Sequence, residues 1–231
     1  MSGIHTGLAV GIPLCGRPVM PEWALALATQ DWPMGLNVTY MSLKGLEVGV
    51  ARNQIAQHAL DQGAEFLWFI DDDTAPPSYA CKRLLRVLRE DPETAVVGGI
   101  YCNKAAEPEP IVFQTLGGGV DWRWKAGDVF PCAGLGTGCM MIRTRVFRDL
   151  PEPWFLTVDA DCPGPSIRER GGQTQQKETD DLYFCRKLAE HGHRIKAHGG
   201  VLCLHWDAAT GRAYALPADS YPVQPLVTEA A

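Results

Sequence analysis

The segment 66–77, FLWFIDDDTAPP, limits the possible folds of this chain more than any other stretch. Five apolar residues without a charge end abruptly at Asp71, Asp72 and Asp73, and Pro76 and Pro77 then precede a charged, apolar-periodic run. The pattern reads as a buried strand that ends in carboxylates and leads into a helix. At the carboxyl end of a strand in an open α/β sheet the chain turns out into a crevice between loops, and ligands bind there. Three adjacent acids repel one another unless a cation sits among them. Alternate side chains of extended chain point the same way, so Asp71 and Asp73 are expected to face one ion together. The alternative is a solvated acidic turn, but turns seldom follow so dry a strand.

Around this segment, strand-like and helix-like stretches alternate. Residues 8–13 and 37–42 read as strands, and 21–31 as a helix with Pro21 at its first position. Residues 49–62 read as a helix with Ala51, Ile55 and Ala59 on one face, closed by Gly63. After the 66–70 strand come a helix over 78–90 and a strand at 95–100. This βαβαβαβ order predicts an α/β fold with a mostly parallel, doubly wound sheet. From 101 to 130 the periodicity weakens into short strands and loops rich in Gly, Pro and Trp, suited to a smaller mixed sheet. PCAGLGTGCMMIR at 131–143 sets small residues before a buried strand at 139–142, and it does not fit a dinucleotide-binding G-x-G-x-x-G. Close packing against a ligand or another strand accounts for it instead. Residues 159–177 read as a long loop, either disordered or a lid ordered by substrate. A single domain over 1–212 is expected, followed by a loosely attached, Pro-rich tail at 213–231.

Composition bounds the function. With 231 residues, 46% of them hydrophobic, the chain can bury a full core. No apolar run approaches a membrane span, and the start MSGIHTGLAVG lacks the features of a signal peptide, so a cytoplasmic location is expected. The eight cysteines include no C-x-x-C pair, which argues against a zinc knuckle or a disulfide framework. A net charge of −6 gives no general attraction to nucleic acid. Lys82, Arg83, Arg86 and Arg89 share one helix, as an ordinary solvated face or as a local basic patch. The absence of G-x-x-x-x-G-K-[ST] argues against a P-loop NTPase.

A second acidic cluster, Glu178, Asp180 and Asp181, opens a helix with Leu182, Cys185, Leu188 and Ala189 as its apolar stripe and Gly192 at its end. Acids at a helix start are favourable through the exposed amides and the dipole alone, so in isolation the cluster reads as capping. His205 ends the apolar run 200–204 and precedes Trp206 and Asp207; by itself it reads as a hydrogen-bonded rim residue.

Together these motifs resemble the GT-A glycosyltransferases, in particular small family 2-like enzymes of bacterial and phage type. The matching segments are the strand ending in Asp71-x-Asp73, Ala51-Arg52-Asn53, VVGGIYCN at 96–103, GTGCMMIR at 136–143, Pro153-Trp154-Phe155, TDDLYFCRKLAEHGHRI at 179–195, and Cys203-Leu204-His205. They run in collinear order over 8–206, with Asp180 where the pattern usually has Glu. The resemblance implies a GT-A fold and transfer of a sugar from a nucleotide sugar, UDP-linked, to a hydroxyl of a saccharide or a hydroxymethylated DNA base. It implies donor contacts at Pro13, Arg52, Asp71 and Asp72. It also implies a divalent ion held by Asp71, Asp73 and neutral His205, whose other ring nitrogen is fixed by Asp207 or a backbone carbonyl. Oxygen ligands with one imidazole suit manganese or magnesium. Asp181, with Asp180 beside it, matches the general base of inverting members; in a retaining enzyme it would position donor or acceptor instead. Two alternatives stay open. A nucleotidyltransferase of related fold would need a Gly-rich, cationic loop after the first strand, where GIPLCGRP offers Arg17. A non-catalytic nucleotide-sugar-binding module would have no need of the acid at 181.

Overall fold

The computed structural model describes residues 7–159 and 176–216. Its first half comprises β1 (Gly7–Leu14), α1 (Pro21–Ala28), β2 (Asn37–Lys44), α2 (Val48–Asp61), β3 (Phe66–Ile70), β4 (Thr74–Ala75), α3 (Ala80–Glu90) and β5 (Thr94–Ile100). Then follow β6 (Val112–Phe113), β7 (Val129–Pro131), β8 (Gly134–Leu135), β9 (Cys139–Arg143), α4 (Val146–Asp149), β10 (Val158–Asp159), β11 (Gln176–Glu178), α5 (Asp180–Glu190), β12 (Arg194–Leu202), β13 (Leu204–Asp207) and β14 (Arg212–Tyr214). Local signals explain the early helices. Pro21 opens α1, the Glu47 side chain accepts from the Val50 amide to cap α2, and Gly63 follows α2 at φ 68°, where a side chain would be strained.

A seven-stranded sheet runs in the order β2-β1-β3-β9-β5-β12-β7. β1, β2, β3, β5 and β12 share one direction, while β9 and β7 oppose it. The mostly parallel reading therefore holds, with one specific difference. The strand expected at 139–142 lies at the centre of this sheet, antiparallel between β3 and β5. Its five residues are all buried, as an apolar run with both faces covered requires. The glycines of β5 make room for neighbouring chain: a Cβ at Gly99 would meet the Val201 Cγ1 at 2.7 Å.

The pleat of β3 divides the core. Leu67 and Phe69 face α2 and α5, packing with Ile55, Ala59, Phe184 and Leu188. Phe66, Trp68 and Ile70 face α1 and α3, packing with Trp23, Leu84 and Leu88. Each large side chain so buried contributes roughly 1.5–3 kcal/mol relative to exposure, which fixes the level at which β3 ends. In α5, Phe184 is buried where Ala189, expected in the stripe, is exposed.

Three further outcomes differ from or fall outside the expectations. Past Arg212 the described residues run to Leu216, with β14 paired to β13 and Leu216 buried in a third cluster with Val112 and Trp124. The loop expected over 159–177 is bounded by β10 and β11, which pair antiparallel, and its 160–175 portion lies outside the described residues, as does 217–231. On α3, the Lys82 ammonium bonds Asp31 at 2.5 Å and Arg83 donates to the Gly200 carbonyl at 2.6 Å, so half of the basic face has structural partners. Among the described residues no helix is long and apolar enough to cross a membrane.

Candidate active site

The acids after β3 sit in a turn, not in extended chain. The Thr74 amide donates to the Asp71 carbonyl at 3.1 Å, closing the turn directly after Ile70. The turn is pinned from three sides: the Asp71 amide donates to Gly138, the Trp23 indole donates to the Asp71 carbonyl at 2.7 Å, and the Trp206 amide donates to the Asp73 carbonyl at 2.7 Å. Alternation of side chains therefore does not apply, and Asp71 and Asp73 turn to different partners. Asp71 accepts from Arg52 Nη2 through both oxygens, at 2.7 and 2.9 Å. Asp72, 3% exposed, accepts from the Cys15 amide at 2.8 Å and from Arg17 at 3.2 Å, which ties the β1–α1 loop to the turn. Asp73 Oδ2 accepts from Arg17 Nη2 at 2.5 Å and from Lys104 Nζ at 2.6 Å.

Arg52 connects this turn to the second acidic cluster. It is buried on α2, and while Nη2 holds Asp71, Nη1 donates to Asp180 at the start of α5. Burial alone would lower the guanidinium's affinity for its proton, but the charges of Asp180 and Asp71 more than offset this and hold it charged. Burial raises Asp71 above the ordinary carboxylate value despite Arg52, with the nearby charge of Asp73 adding to the rise. For Asp73, burial works in the same direction but is outweighed by His205 and Lys104, which hold it well below the usual range.

Asp181 lies beside this bridge, half-buried. Its Oδ1 accepts from the Leu182 amide at 2.8 Å and from the Thr179 hydroxyl, while Oδ2 has no hydrogen-bond partner among the described residues. Burial and then the charge of Asp180 push its carboxyl up to about 6. A carboxylate with one oxygen fixed, one oxygen open and a proton affinity close to neutral pH is equipped to take a proton.

β13 brings in the third component. It pairs with β4 so that His205 stands opposite Thr74. The His205 Nδ1 lies 2.7 Å from the Cys102 carbonyl, so that nitrogen carries the proton and Nε2 is directed at Asp73 Oδ1, 3.4 Å away. The Tyr101 ring meets His205 edge-on at 5.2 Å, and its hydroxyl accepts from the Gly138 amide at 3.1 Å. A Cβ at Gly138 would come within 2.7 Å of the Thr74 hydroxyl and 2.8 Å of the Tyr101 ring. The small residues at 136–138 thus admit a side chain from β5's end, not a ligand.

Asp73 and His205 bring a carboxylate oxygen and an imidazole nitrogen to within 3.4 Å of each other, donor types that a hard divalent cation accepts. The fixed Nδ1 is the orientation that such a ligand requires. Both oxygens of Asp71, the third ligand expected from sequence, accept from Arg52. Among the described residues no group of three or more His, Cys, Asp or Glu gathers as a metal cluster.

Of the residues expected from sequence, Arg52, Asp71, Asp73, Asp180, Asp181 and His205 converge here. Asp72 is committed to the β1–α1 loop, and Pro13 is buried within β1 opposite Leu43. Tyr101 falls inside the matching segment 96–103 without a role of its own, Lys104 lies just past it, and Arg17 stands in the sequence as an isolated cation after β1.

Comparison with known proteins follows this geometry. A197 from STIV is similar in structure over 95% of this chain and 98% of its own, with a TM-score of 0.61 and 17% sequence identity. S. aureus TarS 1-349, in complex with UDP-GlcNAc, is similar over 83% of this chain with a TM-score of 0.50 and 16% identity; the similarity spans 56% of the TarS chain. At these identities the likeness establishes the fold. No curated protein matches by sequence. The model of the family described as Glycosyl transferase family 2 matches residues 21–151, a span that includes Arg52, the three aspartates and Lys104 and stops short of α5. As that match takes in more than half of the 231 residues, the chain belongs to glycosyl transferase family 2.

Proposed function

We propose that this protein transfers a sugar from a nucleoside diphosphate sugar to a hydroxyl acceptor by a single inverting displacement, with Asp181 as general base. One observation carries the reading: Arg52 joins the acidic turn after β3 to the start of α5. The open Oδ2 of Asp181 is thereby set across one guanidinium from the sheet end where phosphates bind in such folds. The acceptor oxygen bonds to the anomeric carbon as its proton passes to Asp181, and the bond from that carbon to the diphosphate breaks with its electrons left on phosphate. Burial and the charge of Asp180 keep the proton affinity of Asp181 high enough for this role, and Arg52 bridges Asp180 and Asp71. Asp73 and His205 would hold a manganese or magnesium ion, which when bound offsets charge developing on the leaving diphosphate. UDP-linked donors are the first to test, since TarS 1-349 is held in complex with UDP-GlcNAc. A saccharide hydroxyl is the favoured acceptor over a DNA base, because half of the basic face of α3 has structural partners.

A thermal-shift screen of nucleotide sugars, with and without Mn²⁺, tests the reading, because a ligand of the native state raises apparent stability by mass action. Stabilisation by a UDP-sugar, larger with Mn²⁺, is expected. No stabilisation by any nucleotide sugar contradicts it.

A further inference from the structure

We propose that Arg17 and Lys104 are diphosphate-binding residues, two cations parked on Asp73 that turn to the donor's phosphates when it arrives. The inference rests on the glycosyltransferase reading and adds two binding residues to it.

The two side chains come from separate loops, one after β1 and one after β5, and meet on a single oxygen. Arg17 Nη2 lies 2.5 Å and Lys104 Nζ 2.6 Å from Asp73 Oδ2. Arg17 also pairs with Asp72 at 3.2 Å, so two cations are matched by two carboxylates, and what marks these side chains out is their unused donors. Spare donors are available. The hydrogen bonds of Arg17 to Asp72 and Asp73 both come from Nη2, and among the described residues its Nη1 and Nε have no partner. Lys104 uses one of three donors. Both heads reach solvent, with side-chain exposures of 40% for Arg17 and 26% for Lys104. This contrasts with Arg52, whose side chain is 4% exposed and enclosed by Asp71 and Asp180. Unlike Arg52, both Arg17 and Lys104 can be reached by a ligand.

Space adjoins them. A cavity of about 340 Å³ opens between the ends of β1 and β2 and α1, lined by Leu14, Arg17, Val19, Trp23, Ser42 and Lys44. A nucleotide held there places its phosphates against the Arg17 fork, whose geometry suits phosphate oxygens in pairs. Asp73 then has a second task, since it keeps two mobile cations in place before the donor binds. A divalent ion between His205 and Asp73 Oδ1 would share the carboxylate whose other oxygen holds the two cations.

The test is calorimetric titration of the full chain with UDP in EDTA, and separately with Mn²⁺ alone, for wild type, Arg17→Gln, Lys104→Gln and the charge-keeping Arg17→Lys. UDP affinity is expected to fall about tenfold or more in each glutamine variant, the loss of one charge-assisted bond. Uridine affinity should stay unchanged, Arg17→Lys should recover part of the loss, and Mn²⁺ affinity should be equal or higher. Thermal unfolding of the same samples establishes that the variants are folded, and Arg17→Lys carries the comparison if Arg17→Gln is not. UDP affinities within twofold of wild type in folded variants overturn this proposal and leave the glycosyltransferase reading intact. Failure of the wild type to bind UDP, GDP or ADP under any metal condition overturns both.

Discussion

His205 Nε2 stands 3.4 Å from Asp73 Oδ1, because β13 pairs with β4 in a register that sets His205 opposite Thr74. Two segments more than a hundred residues apart thus supply neighbouring donor atoms, and the Cys102 carbonyl fixes which ring nitrogen faces the aspartate. Replacing His205 by Ala is expected to weaken Mn²⁺ binding by roughly tenfold or more, with little change in thermal stability. Equal Mn²⁺ affinity in calorimetric titration would mean that the imidazole is a rim residue.

Asp71→Ala separates the two aspartates that the Asp-x-Asp pattern treats alike. Asp71 faces Arg52 and Asp73 faces His205, so Asp71→Ala should leave Mn²⁺ affinity within about threefold of wild type, whereas Asp73→Ala should abolish it. Equal losses in the two variants would restore a shared ion.

Arg52→Gln leaves the carboxylates of Asp71 and Asp180 without their common cation in a buried setting. Breaking such a pair from one side costs about 3–5 kcal/mol, so the melting temperature should fall by on the order of 10 °C. Arg52→Lys keeps the charge but cannot span both acids, and should recover part of the loss. A melting temperature within 2 °C of wild type, roughly 1 kcal/mol or less for a chain of this size, would show that the bridge is not structural.

Much of this was legible because β3 is so one-sided in composition: a dry strand of five residues can only be buried, and where it ends the acids must emerge. The stripe of α2 likewise fixed Arg52 on the sheet-facing side, through Ala51, Ile55 and Ala59. What could not be read was pairing across long sequence distance. Nothing in CMMIR says that it inserts antiparallel between two parallel strands, and nothing local reveals that 71–73 turn at Asp71 and do not extend. The same limit hid Lys104 and Tyr101, whose roles depend on β5 ending beside β13. Arg17 was visible as a cation and lacked only its partners.

The stability of the unliganded protein should carry the imprint of Asp181. Its folded-state value of about 6 lies above the ordinary value of about 3.9, so the native state disfavours the charged form. The resulting cost is present above pH 6, shrinks as pH falls through 6, and is absent below about 4. Asp181→Asn removes it while keeping the acceptor for the Leu182 amide. At pH 7.5 the variant should melt a few degrees higher than wild type, by about 1–2 kcal/mol or less, and at pH 4 the difference should vanish. A variant less stable at pH 7.5 would place Asp181 among the helix caps.

The acid limb of activity should answer to Asp180. Its charge raises Asp181, so Asp180→Asn should move the midpoint of the rise in kcat/KM to lower pH, and donor affinity should drop as Arg52 loses a partner. An unmoved midpoint separates the two aspartates.

The central claim is that Asp181 removes the acceptor proton during sugar transfer. The most direct measurement is the pH profile of UDP release from a UDP-sugar by wild type and Asp181→Asn, with saccharide acceptors present and UDP affinity measured in parallel. The account predicts that wild-type turnover rises through about pH 6. Asp181→Asn should bind UDP normally, lose about a hundredfold or more in turnover, and lose that rise. Turnover close to wild type, with the same pH profile, would contradict it.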